Sequence, residues 1–288
     1  MMKARAAAKI NLYLDVKGMR PDGYHEIETF LQPISLWDEL TFEGTPSGIE
    51  IAGDDTPIPW NEDNLCHRAA RLIFEHVGFG GGVRIVVRKG IPAGAGLGGG
   101  SSDAAATLVA ANSLFRFDLS RAELLDLGAS LGSDVPFFIL GAPAIGRGRG
   151  EILEPVPGLR SGWILIVKPD ITISTKWAYQ NLTLVLTRGK PQATLGKLRE
   201  GLQRFPDIRL DTYNSFEAGV IEHFPSVAGV LATLRAESPI LCSLSGSGSA
   251  CFAVFADEST ALGLGARLGG EGLFTKVVRP IDRAIALD

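Results

Sequence analysis

Hydrophobic and polar positions change period several times along the chain, and each change marks an element. Ile10, Leu12, Leu14 and Val16 alternate with Asn11, Tyr13 and Asp15. A period of two predicts a half-buried strand. Arg20-Pro21-Asp22-Gly23 then carries turn chemistry, and a second strand is expected around Ile27–Leu36. Residues 44–59 read as exposed loop. From Asn61 to Val77 the period becomes helical: Leu65, Ala69, Leu72, Ile73 and Val77 share one face, and Gly78 supplies the stop. Val83–Val87 is a short β-branched strand, Asp103–Phe115 an alanine-rich helix, and Ser120 with Glu123 a capping box for a helix at Arg121–Leu131.

The pattern restarts near Gly162 with a strand at Trp163–Lys168. Helices are predicted at Thr194–Gln203, Tyr213–His223, Ser226–Arg235 and Glu258–Leu268, and strands at Ile240–Leu244, Ala250–Phe255 and Thr275–Val278. The stretch Thr187–Asp211 carries no motif. Paired strands mixed with helices predict an α+β fold rather than regular βαβ alternation. With 288 residues, two units are expected, 1–160 and 161–288, divided after Pro155 and Pro157.

Composition narrows the function. A net charge of −4 and a pI near 5.7 argue against a dedicated nucleic-acid binder, so any phosphate must be held by local groups. The three cysteines and four histidines show no disulfide framework and no zinc spacing. The longest nearly apolar run, Val135–Gly146, is short of a membrane span of about 20 residues. Met1–Ile10 has no apolar signal region, and a cytoplasmic protein is expected.

The strongest chemical signal is Pro92-Ala93-Gly94-Ala95-Gly96-Leu97-Gly98-Gly99-Gly100-Ser101-Ser102-Asp103, between a strand and a helix. Glycines let successive N–H groups face an anion, and a helix N-terminus adds free N–H groups and a positive dipole end. Three readings compete. A surface linker fits poorly between abutting elements. A dinucleotide fold could use Gly94-x-Gly96-x-x-Gly99, but the acid at the right distance, Asp118, follows the helix with no strand before it. A nucleotide-triphosphate loop other than Walker A is favoured, with Ser101 and Ser102 offering hydroxyls to phosphate or to Mg²⁺.

Other candidates are ambiguous one at a time. Lys9 could be a solvated lysine, Asp134 a turn or capping residue, and Tyr24-His25 a packed pair. Ser245-Gly246-Ser247-Gly248-Ser249 could be a plain connection between strands.

In combination, Lys9-x-Asn11, the Pro92–Ser102 loop and the late glycine loop at Leu244–Ala250 occur in the order found in the GHMP small-molecule kinases, and the chain resembles that family over about residues 8–255. Arg20–His25, Leu131–Pro136 and Gly148-x-Gly150-Glu151 extend the resemblance to one branch, whose acceptor is a cytidine diphosphate ester of methylerythritol. The resemblance implies a two-domain fold with its active site in the cleft between domains, and ATP with Mg²⁺ as cofactors. It implies Asp134 as catalytic base with Lys9 as partner. Pro92, Gly94, Gly96, Leu97, Gly98, Gly99, Gly100, Ser101 and Ser102 would hold the ATP phosphates, with Ser102 also a metal ligand. Asn64 and Lys89 would lie near the adenosine, Asn11 by the transferred phosphate, and Tyr24, His25 and Tyr179 at the cytosine. Another family kinase acting on homoserine, mevalonate or a sugar is the nearest rival. A non-catalytic nucleotide sensor is the rival from outside enzymology.

Overall fold

The structure, a computed structural model, describes residues 1–182, 193–270 and 272–288. Residues 187–192, the start of the stretch without a motif, lie outside them. Two sheets, antiparallel except for the β3–β4 pair and each backed by helices, make a two-domain α+β fold. The first sheet runs β11-β1-β2-β4-β3, where β1 is Met2–Met19, β2 His25–Thr45, β3 Gly48–Gly53, β4 Gly82–Arg88 and β11 Ile285–Leu287. A short hairpin, β5 (Ala144–Arg147) and β6 (Ile152–Pro155), joins it on β2. The second sheet runs β10-β7-β9-β8, from Phe274–Val278, Trp163–Lys168, Cys251–Phe255 and Leu241–Leu244. The last strand therefore returns to the first sheet. Residues 44–59 contain β3, parallel to β4, where loop was expected; Ile49 and Ile51 pack against the first core.

β1 departs most from its expected form. It is buried on both faces from Ala6 to Val16 instead of on one. Its first half, with Ala4, Ala6 and Ala7, packs against α2 (Gly99–Phe115), whose own alanines let helix and strand approach closely. Its second half, with Ile10 and Leu12, packs against Ile164, Ile166, Phe252 and Val254 of the second sheet. A strand that serves two cores has no solvent face. Its polar residues Lys9 and Asn11 are therefore enclosed, and enclosed polar groups need partners.

Helix boundaries follow their caps. α1 is Leu65–Val77, because Asn64 caps it by accepting the Cys66 N–H, and Gly78 ends it in the left-handed region. α3 (Arg121–Leu131) has the predicted Ser120–Glu123 capping box. α4 (Val135–Leu140) occupies the apolar run after Asp134, and α5 (Thr175–Gln180) carries Tyr179. α6 (Leu195–Leu202) follows the undescribed residues. α7 is Glu217–His223, shorter than the expected 213–223, because residues 213–215 pair with β1. α8 (Pro225–Ala236) and α9 (Glu258–Gly269) cover the second sheet.

Candidate active site

A cavity of about 830 Å³ opens between the two sheets' layers and is lined from both halves of the chain. Its floor is the glycine loop. α2 begins at Gly99, four residues before the predicted start, so Gly99–Asp103 belong to the helix's opening turns. Gly98 caps it in the left-handed region, and Ser102 N–H bonds to the Gly98 carbonyl. The N–H groups of Gly99, Gly100 and Ser101 precede that first helical bond and lie in the cavity wall. A helix N-terminus exposed in this way attracts anions through unpaired donors and the helix dipole.

Gly96 shows why the loop needs glycine. It sits at φ +75°, and an added Cβ would lie 2.0 Å from the Ser245 carbonyl oxygen. Gly96→Ala should therefore lower kcat/KM for ATP by roughly ten-fold or more, since left-handed strain alone costs about 1–2 kcal/mol and the late loop must also retreat. Steady-state kinetics with varied ATP would check this.

The wall opposite holds the charged pair. Lys9 Nζ lies 3.6 Å from Asp134 Oδ2, with side chains 5% and 36% exposed. Lys9 also donates to Asn11 Oδ1 at 2.6 Å, and Asn11 Nδ2 donates to Thr29 Oγ1 at 2.8 Å. Thr29 in turn donates to the Tyr13 carbonyl. This relay fixes the lysine from behind while the aspartate faces the cavity. Asp134 precedes α4 without capping it, so its carboxylate stays free of that duty.

The third wall is aromatic. The 20–24 turn is closed by Arg20 N–H to the Tyr24 carbonyl and by Tyr24 N–H to Asp22 Oδ1. It delivers His25 onto Tyr179, with ring centroids 4.7 Å apart and planes 28° apart. Tyr24 is 53% exposed, and the Arg149 guanidinium lies 4.6 Å over its ring. Burial, and then the charge of Asp134, push the Tyr179 phenol up to about 12, so it stays protonated at neutral pH.

Of the residues expected in the site, Lys9, Asn11, Tyr24, His25, Lys89, Asp134, Tyr179, Pro92 and the loop from Gly94 to Ser101 line this one cavity. Two do not. Asn64 spends its amide as the α1 cap and as a donor to the Pro59 carbonyl. Ser102 is fully buried, outside the lining, and its hydroxyl has no partner in the structure. Among the described residues no three His, Cys, Asp or Glu side chains cluster as a metal cage.

Two features escaped sequence reasoning. Arg149 adds a cation to the aromatic wall, and only its place after Gly148 in the Gly148-x-Gly150 turn hinted at it. Lys89, expected beside adenosine, is also the centre of a buried triad: Nζ contacts Asp38 Oδ2, and Asp103 Oδ2 at 2.6 Å. Asp38 Oδ1 accepts the N–H groups of Gly90 and Ile91 at 2.7 and 2.8 Å. The triad thus ties the chain ahead of the phosphate loop to the helix behind it. Burial opposes the Lys89 ammonium, but the Asp103 and Asp38 carboxylates outweigh it and hold its pKa above the usual lysine value. Burial dominates at Asp103 and pushes its carboxyl up to about 8.

Comparison with known proteins agrees with this geometry. The model of the GHMP kinases N-terminal domain matches residues 64–142, and that of the GHMP kinases C-terminal domain matches residues 192–272. The chain is 38% identical over 258 residues to 4-diphosphocytidyl-2-C-methyl-D-erythritol kinase of Syntrophomonas wolfei, covering 90% of each chain. It is 40% identical over 257 residues to the enzyme of the same name from Alkaliphilus metalliredigens, covering 88% of each. Among solved structures, a 4-(cytidine 5'-diphospho)-2C-methyl-D-erythritol kinase superposes with a TM-score of 0.83 at 35% identity, covering 96% of this chain and 98% of that one. A homoserine kinase from Cytophaga hutchinsonii superposes with a TM-score of 0.75 at 20% identity, covering 100% and 97%, a likeness of fold alone.

Proposed function

The chain belongs to the GHMP kinase family of ATP-dependent small-molecule phosphotransferases, and on that premise we propose that it phosphorylates the 2-hydroxyl of 4-diphosphocytidyl-2-C-methyl-D-erythritol. That step belongs to non-mevalonate isoprenoid precursor biosynthesis. One observation carries the reading: a single cavity joins an anion-binding helix N-terminus, a lysine–aspartate pair and an aromatic wall. A kinase for a small aliphatic acceptor has no use for the third.

In this mechanism the loop amides and the α2 N-terminus bind the β and γ phosphates of ATP. Mg²⁺ bound with the nucleotide would supply charge neutralisation there. Phosphoryl transfer has a loose transition state with charge spread over the moving group, so the protein's work is positioning and electrostatic stabilisation. Asp134 accepts the proton of the attacking 2-hydroxyl. Lys9, held by Asn11, keeps a positive charge beside that carboxylate and beside the developing alkoxide. The cytosine stacks against the aromatic side chains Tyr24 and Tyr179, His25 offers its ring nitrogens to the base edge, and Arg149 supplies a cation near the diphosphate. Residues 1–160 serve as the ATP-binding and catalytic unit. Residues 161–288 complete the substrate cleft, lending their last strand to the first sheet. Among the described residues no helix is long and apolar enough to cross a membrane, and we place the protein in the cytoplasm with its soluble substrates.

The acceptor assignment has a direct test. Methylerythritol 4-phosphate, which lacks the cytidine, should be phosphorylated far more slowly than the full ester. His25→Ala should lower kcat/KM for the ester by roughly ten-fold or more while KM for ATP stays within two-fold, because a site built to hydrogen-bond a base loses the most when a partner is removed. Equal rates on the two acceptors would remove the cytidine from the account.

A further inference from the structure

The late glycine loop after β8 stands against both parts of the catalytic apparatus. At Gly246 an added Cβ would lie 3.1 Å from the Gly96 carbonyl oxygen, 3.3 Å from Lys9 Nζ and 3.5 Å from Asn11 Oδ1. Ser245 Oγ donates to the Gly96 carbonyl at 3.0 Å, and Ala250 N–H donates to the Ala95 carbonyl at 3.1 Å. The placement of this loop therefore sets the spacing of Lys9 and Asn11 on one side and of the phosphate loop on the other.

One side chain holds it from behind. Asn214, 6% exposed, donates from Nδ2 to the carbonyls of Leu244 and Gly246, each at 2.9 Å. Its Oδ1 accepts the Phe216 N–H at 2.9 Å. Its own segment is tied to β1: Leu14 N–H bonds to the Tyr213 carbonyl at 2.8 Å, and Ser215 N–H to the Leu14 carbonyl at 3.0 Å. The strand that carries Lys9 and Asn11 thus also pairs, at Leu14 three residues on, with the segment whose Asn214 pins the loop facing them. Glu217 adds a second fixing point by accepting the Leu244 N–H at 3.3 Å.

We propose that Asn214 is a positioning residue for phosphoryl transfer, acting through the late loop without lining the cavity itself. The inference rests on the kinase reading above. Its chemistry needs an amide, because two carbonyl oxygens and one N–H must be satisfied by one short side chain. An ionised carboxylate of the same shape offers no donor and turns its oxygens toward two carbonyls. The loop must then move, and a misplacement of about 1 Å at a reacting centre can cost on the order of 10²-fold in rate.

The test compares Asn214→Asp with Ser215→Ala, using Mg-ATP and the cytidyl ester. Ser215 Oγ accepts the Val16 N–H at 2.9 Å, so its loss loosens the same segment from β1 without touching the loop. Asn214→Asp is expected to lower kcat at least about ten-fold with KM for the ester within about two-fold, the pattern of an interaction felt in the transition state. Asn214→Ser keeps one donor and no charge. It should fall between wild type and Asn214→Asp, and it carries the test alone if the aspartate variant does not fold. Ser215→Ala should melt at a lower temperature with kcat within two-fold. The inference is overturned by normal kcat in the Asn214 variants, or by kcat losses in all three that track their melting temperatures. Normal variants beside an active wild type would remove this inference and leave the function standing. A wild type active only on another acceptor would remove the acceptor assignment, and the variants are then scored on that acceptor.

Discussion

Asp134→Asn will lower turnover by about 10²–10⁴-fold, the span that a positioned general base contributes, while Mg-ATP still binds. Asparagine keeps the shape and polarity of the side chain but cannot take up the proton of the attacking hydroxyl. Nothing that binds the phosphates is touched, because the loop amides and the α2 N-terminus lie on a different wall of the cavity. Lys9 keeps its bond to Asn11, so the lysine stays in place without its carboxylate. Single-turnover kinetics with bound nucleotide would separate the chemical step from binding. A variant that transfers phosphate at a near-normal rate would take the base role away from Asp134.

Lys89→Met should destabilise the fold by about 3–5 kcal/mol, the usual result of leaving a buried charge without its partner. Here two buried acids, Asp38 at 0% and Asp103 at 4% side-chain exposure, would lose the cation they share, and Asp38 would be left as an unpaired charge. Against a typical total stability of about 5–15 kcal/mol, the urea midpoint should fall steeply. Adding Asp38→Asn and Asp103→Asn removes the unpaired acids and should recover part of the loss. The triad holds both ends of the phosphate loop, so KM for ATP should rise in the single variant as well. An unchanged midpoint would mean that the triad is open to water and does not act as a clamp.

The elements legible in the sequence were those with a local signal. The Ser120–Glu123 box, the Gly78 stop and the β-branched run at Val83–Val87 each encode their outcome within a few residues. β1 was longer than its alternation implied, because Ala4–Ala8 have little strand preference of their own and are held as strand by pairing with β2 and β11 and, at Ala4, Ala6 and Ala7, by packing on α2. α2 began earlier than its composition implied. Glycine is a poor helix former, but Gly99 and Gly100 sit where free N–H groups serve the site better than propensity would. Residues 213–215 were expected to open the helix that runs to His223. Pairing with Leu14, some 200 residues away in sequence, overrode that expectation.

The site divides in the same way. The phosphate loop is contiguous, and Lys9, Asp134, Tyr24 and His25 each lie in short motifs, so resemblance could reach them. Asp38, Lys89 and Asp103 form their triad across separations of 51 and 14 residues, with no local pattern to mark it. Asn214 was hidden by the helix expected over it. Ser102 was read as part of a loop, but the chain is already helical there and its hydroxyl is enclosed.

Everything above depends on phosphorylation of a cytidyl ester in this cleft. Its most direct test is ADP release by the purified protein with Mg-ATP and 4-diphosphocytidyl-2-C-methyl-D-erythritol, run beside homoserine, mevalonate and galactose. Release that depends on the cytidyl ester alone is the predicted result. Release with one of the other three, and none with the ester, would contradict it.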